Sequence, residues 1–524
     1  MAQNSVAVDI QGLTRRFGSL TAVNGLTLSI GKGELFGLVG SDGAGKTTTL
    51  RILAGILDPD AGSLEVMGCP FLAAAAAVRG RVGYMSQRFG LYPDLTVSEN
   101  IAFYADIFGV SGTERRNRTA RLLSFSGLAP FSGRLASRLS GGMKQKLGLC
   151  CALIHTPDLL LLDEPTNGVD PLSRRDFWRI LRELHAEGVT IVVATAYLDE
   201  AGRCDRVGLL HNGCLIDSGT PDELTNGGAI SLEELVINRI SAGEAHTPPQ
   251  IISSGSAAVP DTDAPPAVEL TGISRHFGDF IAVNRISLSV PRGQIFGFLG
   301  PNGAGKSTTI RMMCGILAPS AGSGRIAGFD IASQPELIKE KIGYMSQRFS
   351  LYEDLTVEEN IAFYGGVYRL TAARLKERGE WVIAMAGLQN RRASKAGELS
   401  GGWRQRLALG CAILHQPPIV FLDEPTSGVD PLSRRSFWHL IRHLAAEGIT
   451  LFVTTHYMDE AEYCDRLGLI YQGELVALGT PQQLRSEHHW GASVPSLEEV
   501  FIRLIEQYGR NSEIAAIERA TTVD

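Results

Sequence analysis

The segment Gly40-Ser-Asp-Gly-Ala-Gly-Lys46-Thr47 recurs as Gly300-Pro-Asn-Gly-Ala-Gly-Lys306-Ser307, 260 residues further on. Every other motif repeats at that same offset, so the chain is constrained to fold as a tandem pair. Residues from about 8 to 224 align with 268 to 484 without a gap, as in Gly83-Tyr-Met-Ser-Gln-Arg-Phe89 and Gly343-Tyr-Met-Ser-Gln-Arg-Phe349. At 524 residues the chain is too long for one core and ample for two of roughly 240 residues each.

This repeat predicts a first domain over 1–240, a linker over 241–267, a second domain over 268–510 and a polar tail over 511–524. The linker is rich in Ser, Ala, Gly and Pro, including Pro248, Pro249, Pro260, Pro265 and Pro266, and lacks apolar periodicity, which predicts a flexible, partly extended connection. Each half closes on Ser231-Leu-Glu-Glu-Leu or Ser496-Leu-Glu-Glu-Val, the one pair whose offset is 265 through a five-residue insertion just upstream, where a Ser three residues before a Glu forecasts a capped helix.

Composition removes several function classes. Charged residues make up 20% and the net charge is -7, so no general basic field exists to attract nucleic acid or anionic lipid. The longest apolar runs, such as 71–78 and 159–162, fall far short of the roughly 20 residues that a membrane-crossing helix needs. The N-terminal Met1-Ala-Gln-Asn-Ser has neither a basic nor an apolar region, which predicts no secretory signal and a cytosolic chain. Eight cysteines without zinc-finger or Cys-x-x-Cys spacing fit that compartment as buried thiols, among them Cys151, Cys204, Cys411 and Cys464.

Short, apolar, partly β-branched runs at 34–40, 159–163 and 189–193 read as buried strands, and a helix is expected over 47–57. That alternation predicts an α/β core with a mainly parallel sheet. Between Gln87 and Ser140 there is room for a helical subdomain.

A glycine loop between strand and helix directs backbone N–H groups and a helix N-terminus at one point, so polyphosphate can be held without bulky side chains. Gly40, Gly43, Gly45 and Thr48, with Gly300, Asn302, Gly303, Gly305 and Thr308, are the candidate cradles. Lys46 and Lys306 are expected to reach the β and γ phosphates, and Thr47 and Ser307 to ligate Mg²⁺. The paired acids Asp163-Glu164 and Asp423-Glu424 end apolar strands, where open α/β sheets bind ligands. Asp163 and Asp423 are expected in the Mg²⁺ shell, and Glu164 and Glu424 are expected to orient or deprotonate the attacking water.

Leu139-Ser140-Gly141-Gly142-Met143 and Leu399-Ser400-Gly401-Gly402-Trp403 resemble the signature motif of ATP-binding cassette proteins. That resemblance covers nearly the whole chain and implies two P-loop NTPase domains, each with a mainly parallel core, a helical subdomain and an N-terminal antiparallel β part. It implies roles for Gln87 and Gln347 at the metal and the attacking water, for Asp170 and Asp430 in the D-loops, and for His456 as the switch histidine. Further, it implies that Ser140 to Gly142 of one domain close on ATP held by the other, and Ser400 to Gly402 likewise, giving two composite sites head to tail. Phe17 and Phe277 stand where the family stacks an aromatic ring on adenine; ordinary packing is the alternative.

The halves are not equivalent. Val453-Thr-Thr-His456-Tyr457 aligns with Val193-Ala-Thr-Ala196-Tyr197, so the first half lacks the switch histidine. Losing one preorganised transition-state contact costs about 3 to 4 kcal/mol in comparable sites, so the site on Lys46 is expected to be slow and that on Lys306 to turn over. Asp42 in place of Asn302 adds a carboxylate near phosphate and mildly disfavours binding in the first half.

Asp-Pro-Leu-Ser-Arg-Arg at 170–175 and 430–435 and the segments after each Q-loop glutamine resemble ATPase subunits of bacterial drug and small-molecule exporters. The resemblance implies separate membrane-spanning permease subunits, as two copies or a heterodimer, with an accessory periplasmic adaptor also possible, and a place on the inner face of the membrane. Phe89, Leu91, Tyr92, Phe349, Leu351 and Tyr352 are either the permease dock or subdomain core. The alternatives are a tandem sugar-importer ATPase, whose degenerate half is usually the second, and a soluble translation or repair ATPase, which usually carries a charged helical linker or zinc-binding cysteines.

Overall fold

The computed structural model describes residues 6–70, 80–87, 90–241, 265–347, 350–427, 429, 431–455, 457–487 and 495–508. They form two compact units, one in each half of the sequence. Most of the expected linker and the whole tail lie outside the described residues, as do Phe89, Phe349, Asp430 and His456.

In the first unit a six-stranded sheet runs in the order Cys214–Gly219, Arg206–His211, Leu35–Gly40, Thr190–Thr195, Leu159–Asp163, Val82–Met85. Only Cys214–Gly219 is antiparallel to its neighbour. All five residues of Leu159–Asp163 are buried, the pattern of a strand covered on both faces. Because side chains alternate along a strand, Leu160 and Leu162 join one hydrophobic core while Leu159 and Leu161 join another. The first core extends through Phe177 and Trp178 into the helices Val97–Ile107 and Gly112–Ser126, which occupy the stretch between Gln87 and Ser140 expected to be helical, and into the following helix Gly141–Leu153. The second lies against a four-stranded antiparallel sheet ordered Leu20–Gly31, Val6–Phe17, Ala61–Val66, Cys69–Pro70. That sheet is not purely N-terminal, since Ala61–Val66 enters from beyond the glycine loop.

The second unit repeats the plan. Its six-stranded sheet is ordered Ile342–Met345, Ile419–Asp423, Thr450–Thr455, Ile295–Leu299, Arg466–Tyr471, Glu474–Gly479. Val420 and Leu422 face one core, and Ile419 and Phe421 the other. Its antiparallel sheet comprises Phe280–Val290, Val268–Phe277, Ala321–Ile326 and Phe329–Asp330.

The helix expected over 47–57 is shorter, Lys46–Leu53. Gly55, at φ 66°, leaves the right-handed region and ends it, as a left-handed glycine commonly does after a helix. Both forecast capping boxes form: Glu234 N–H donates to Ser231 Oγ at 3.1 Å and Glu499 N–H to Ser496 Oγ at 3.2 Å, each Glu returning a bond to its serine amide. All eight cysteines are free, and six of them are buried.

Candidate functional site

The strand Leu35–Gly40 delivers the glycine loop to the N-terminus of the helix Lys46–Leu53. Two demands fix its glycines. A Cβ on Gly45, which sits at φ 102°, would lie 2.4 Å from the Ala22 carbonyl oxygen, and one on Gly40 would lie 2.4 Å from that of Leu210. By contrast Gly43, at φ 80°, faces open space, so its glycine serves the backbone turn and leaves room beside the loop. The second half matches: Gly305 and Gly300 would meet the carbonyls of Ala282 and Ile470 at 2.5 and 2.4 Å, and Gly303, at φ 82°, meets nothing within 4 Å.

The loop's lysine is buried and turned inward. Lys46 Nζ donates to the carbonyls of Gly40 and Ser41 at 2.6 and 3.1 Å and stands 3.4 Å from Glu164 Oε1. Lys306 does the same with Gly300, Pro301 and Glu424, at 2.7, 3.1 and 3.4 Å. Thr47 Oγ1 donates to Asp163 Oδ1 at 2.9 Å and Ser307 Oγ to Asp423 Oδ1 at 3.1 Å. Gln87 and Gln347 each donate from Nε2 to the neighbouring glutamate, Glu164 or Glu424, at 2.8 Å. Glycine loop, acid pair and glutamine therefore lie together in each half.

Burial pushes the carboxyls of Asp163 and Asp423 above the usual range. Hydroxyl donors oppose this, Thr47 in the first half, Thr454 and Ser307 in the second, while the adjacent glutamate adds to it. Glu164 and Glu424 occupy left-handed backbone, at φ 47° and 49°. Such a conformation costs roughly 1–2 kcal/mol outside glycine and persists only where surroundings over-determine it. Here the amide of each glutamate is tied to the next strand: Glu164 N–H donates to Ala194 O at 2.8 Å and Glu424 N–H to Thr454 O at 3.1 Å.

In the first half the loop opens into a cavity of about 410 Å³, lined by Phe17, Leu20, Asp42, Lys46, Thr48, Gln87 and Glu164 among others. Phe17, which lines this cavity, is 47% exposed, as is its counterpart Phe277. The guanidinium carbons of Arg15 and Arg275 stand 5.0 and 4.8 Å from the centroids of those rings.

Ser140 and Ser400 stand at the N-termini of the helices Gly141–Leu153 and Gly401–Ala412, and Ser140 Oγ accepts from Met143 N–H at 3.3 Å. A Cβ on Gly142 or Gly402 would lie 2.5 or 2.4 Å from the hydroxyl of Ser173 or Ser433, so each second signature glycine lets two segments of its own unit approach. Among the described residues neither signature shares a hydrogen bond with the glycine loop of its own half. Ala196 is buried, and its counterpart His456 lies outside the described residues.

After the Q-loop glutamines, Leu91 and Leu351 pack on the cores, whereas Tyr92 and Tyr352 are 45% and 49% exposed and meet Phe103 and Phe363 edge-on. The leucines thus follow the core reading and the tyrosines are at the surface.

Three further participants escaped the motif reading. Tyr84 OH donates to Asp163 Oδ2 at 3.3 Å, Asn167 Nδ2 to Glu164 Oε2 at 3.0 Å, and Thr454 Oγ1 to Asp423 Oδ1 at 2.8 Å. Asn167, three residues beyond Glu164, could have been suspected from its loop position. The other two depend on strand register.

The profile of the family described as "ABC transporter" matches residues 23–167 and 283–427. The chain is 41% identical over 572 residues to "Probable multidrug ABC transporter ATP-binding protein YbhF" of Escherichia coli (strain K12), an alignment covering 97% of this chain and 99% of that protein. It is 36% identical over 262 residues to "Linearmycin resistance ATP-binding protein LnrL" of Bacillus subtilis (strain 168), covering 49% of this chain and 84% of that one. With "Nod factor export ATP-binding protein I" of Rhizobium sp. (strain N33) it shares 39% over 223 residues, 42% of this chain and 73% of the other. Two glycine cradles, each with its buried lysine, acid pair and glutamine, and two family matches in register place the chain in the ABC transporter family, as an ATP-hydrolysing ATP-binding subunit with two fused cassettes.

Proposed function

We propose that this chain is the motor of a bacterial exporter of drugs or small molecules, with cassettes over 1–240 and 268–510 joined by a linker over 241–267. The observation that carries the reading is the recurrence in both halves of one lysine–glutamate–glutamine–aspartate constellation around a glycine loop. No helix among the described residues is long and apolar enough to cross a membrane, so work on a membrane falls to separate permease subunits. The full-length likeness to a probable multidrug subunit, and the resistance and export named for the other relatives, favour export over sugar import or a ribosomal role.

In this reading the loop amides and Lys46 or Lys306 hold the β and γ phosphates, and Phe17 or Phe277 stacks on adenine. The hydroxyl of Thr47 or Ser307, the carboxylate of Asp163 or Asp423 and the carbonyl of Gln87 or Gln347 form an oxygen-only donor set, which suits Mg²⁺. When bound, the ion neutralises charge developing on the phosphates. Phosphate takes the lysine that now faces Glu164 or Glu424, leaving that carboxylate free to orient water and accept its proton. Ser140 to Gly142 and Ser400 to Gly402 each complete the site of the other half, closing it on ATP and releasing it after hydrolysis. The half with His456 turns over faster than the half with Ala196. Tyr92 and Tyr352 receive the cytosolic segments of the permeases, which hold the chain at the inner face of the membrane.

The test is co-expression with membrane proteins encoded beside this gene, purification of the assembly, and dye uptake into inside-out vesicles. ATP-dependent accumulation that Glu424→Gln abolishes is expected. Association with ribosomes and none with a membrane protein would defeat the exporter reading.

A further inference from the structure

In each half the residue facing the aspartate across the neighbouring strand is fixed by register. Asp423 pairs with Thr454, and Asp163 pairs with Ala194. The two sites therefore differ at a position inside the sheet, apart from the difference between Ala196 and His456.

The Thr454 hydroxyl is buried and, besides a longer contact at 3.5 Å to the Leu422 carbonyl, makes two bonds that one hydroxyl can make at once. It donates to Asp423 Oδ1 at 2.8 Å and accepts from the Glu424 amide at 2.9 Å. Donating its only proton to the carboxylate leaves its lone pairs for the amide, so neither bond competes with the other. Asp423 Oδ1 also accepts from Ser307, which places the hydroxyl between the metal-side carboxylate and the strained backbone of the glutamate. In the first half Ala194 offers Glu164 only its backbone carbonyl. The Asp163 carboxylate there leans on Thr47 and, through its second oxygen at 3.3 Å, on Tyr84.

We propose that Thr454 is a positioning residue for ATP hydrolysis in the second half, its hydroxyl locking the Asp423 carboxylate and the Glu424 backbone into one orientation, and that Ala194 leaves the first half without this lock. The proposal rests on the roles given above to Asp423 and Glu424. A charge-assisted bond to the carboxylate and a second bond at a sparsely populated backbone conformation both act on groups that must not shift by even a fraction of an ångström during hydrolysis.

The test uses the full chain with Thr454→Ala, Thr454→Ser and Glu424→Gln, measuring ATP hydrolysis against ATP and Mg²⁺ together with thermal melting. Alanine occupies the equivalent position in the first half, so Thr454→Ala is expected to fold and melt near wild type. Its kcat should fall roughly tenfold and its half-saturating Mg²⁺ rise several-fold, with KM for ATP within about twofold, and Thr454→Ser should restore most of both. Wild-type kcat and Mg²⁺ dependence in Thr454→Ala would overturn the proposal. So would equal impairment of Thr454→Ser, or a Thr454→Ala chain that loses its fold, since the hydroxyl would then serve the fold and not the chemistry. Wild-type hydrolysis by Glu424→Gln would instead remove the role of Glu424 itself, whatever Thr454 shows.

Discussion

Lys306 Nζ lies 3.4 Å from Glu424 Oε1, and Lys46 holds the same distance from Glu164. In all four cases the side chain is at most 8% exposed. The group proposed to bind phosphate and the group proposed to act on water thus face each other within ion-pair distance in both halves.

A buried pair of this kind is costly to break from one side. Lys306→Ala removes the buried ammonium that stands beside the Glu424 carboxylate and is expected to destabilise the second unit by about 3 kcal/mol at neutral pH without nucleotide. Adding Glu424→Gln should recover part of that loss, a coupling of roughly 1–3 kcal/mol readable from a double-mutant cycle in urea. Additive losses would mean the two groups do not sense each other.

The slow and fast sites proposed from the difference between Ala196 and His456 would give unequal weight to the two glutamates. Glu424→Gln is expected to lower steady-state ATPase by roughly 10²–10³, and Glu164→Gln by less than about threefold. Equal losses would abolish the proposed division between a slow and a fast site.

Two glycines of the same loop, Gly43 and Gly45, have different surroundings and so separate folding from binding. Gly45→Ala would push a Cβ to 2.4 Å from the Ala22 carbonyl at φ 102°, so the first unit should lose several kcal/mol of stability. Gly43→Ala meets nothing within 4 Å and should keep the fold at a cost of about 1 kcal/mol while weakening ATP binding. Thermal melting paired with nucleotide titration distinguishes them, and matching melting temperatures would contradict the packing argument.

Asp423 makes stability depend on pH in an unusual direction. Its folded carboxyl is held above the ordinary value by burial, so between the unfolded and the folded value the native state binds more protons. Stability from this group is therefore greatest below that window and falls as pH rises through it. Asp423→Asn, whose amide oxygen can still accept from Ser307 and Thr454, should raise the neutral-pH melting temperature of the Mg²⁺-free chain while abolishing hydrolysis. An unchanged or lower melting temperature at neutral pH, with no flattening of the pH profile, would refute the burial penalty.

What could be read from the sequence follows from what the chemistry demands locally. Phosphate binding needs glycine, lysine and hydroxyl at fixed spacing, so Gly40 to Thr48 and Gly300 to Thr308 announce themselves. Asp163 and Asp423 do so because an acid ending an apolar strand is rare. Thr454 was hidden because a β-branched residue in a run such as Leu-Phe-Val-Thr-Thr reads simply as strand, and its partner is chosen by cross-strand register. The end of the helix at Leu53 was missed for a different reason: apolar residues continue to Leu57, and only the left-handed Gly55 stops the winding. The mixed origin of the antiparallel sheet, with Ala61–Val66 threaded into it, is likewise a matter of long-range pairing that spacing along the chain does not encode.

The apolar strands Leu159–Asp163 and Ile419–Asp423, each ending in an acid, send alternate side chains into two separate hydrophobic masses. A slip by a single residue would therefore empty both sides at once, exchanging every occupant for its opposite. Each carboxylate pair is consequently mounted on a stator, a strand pinned from both faces, which makes it the part of its half least free to shift.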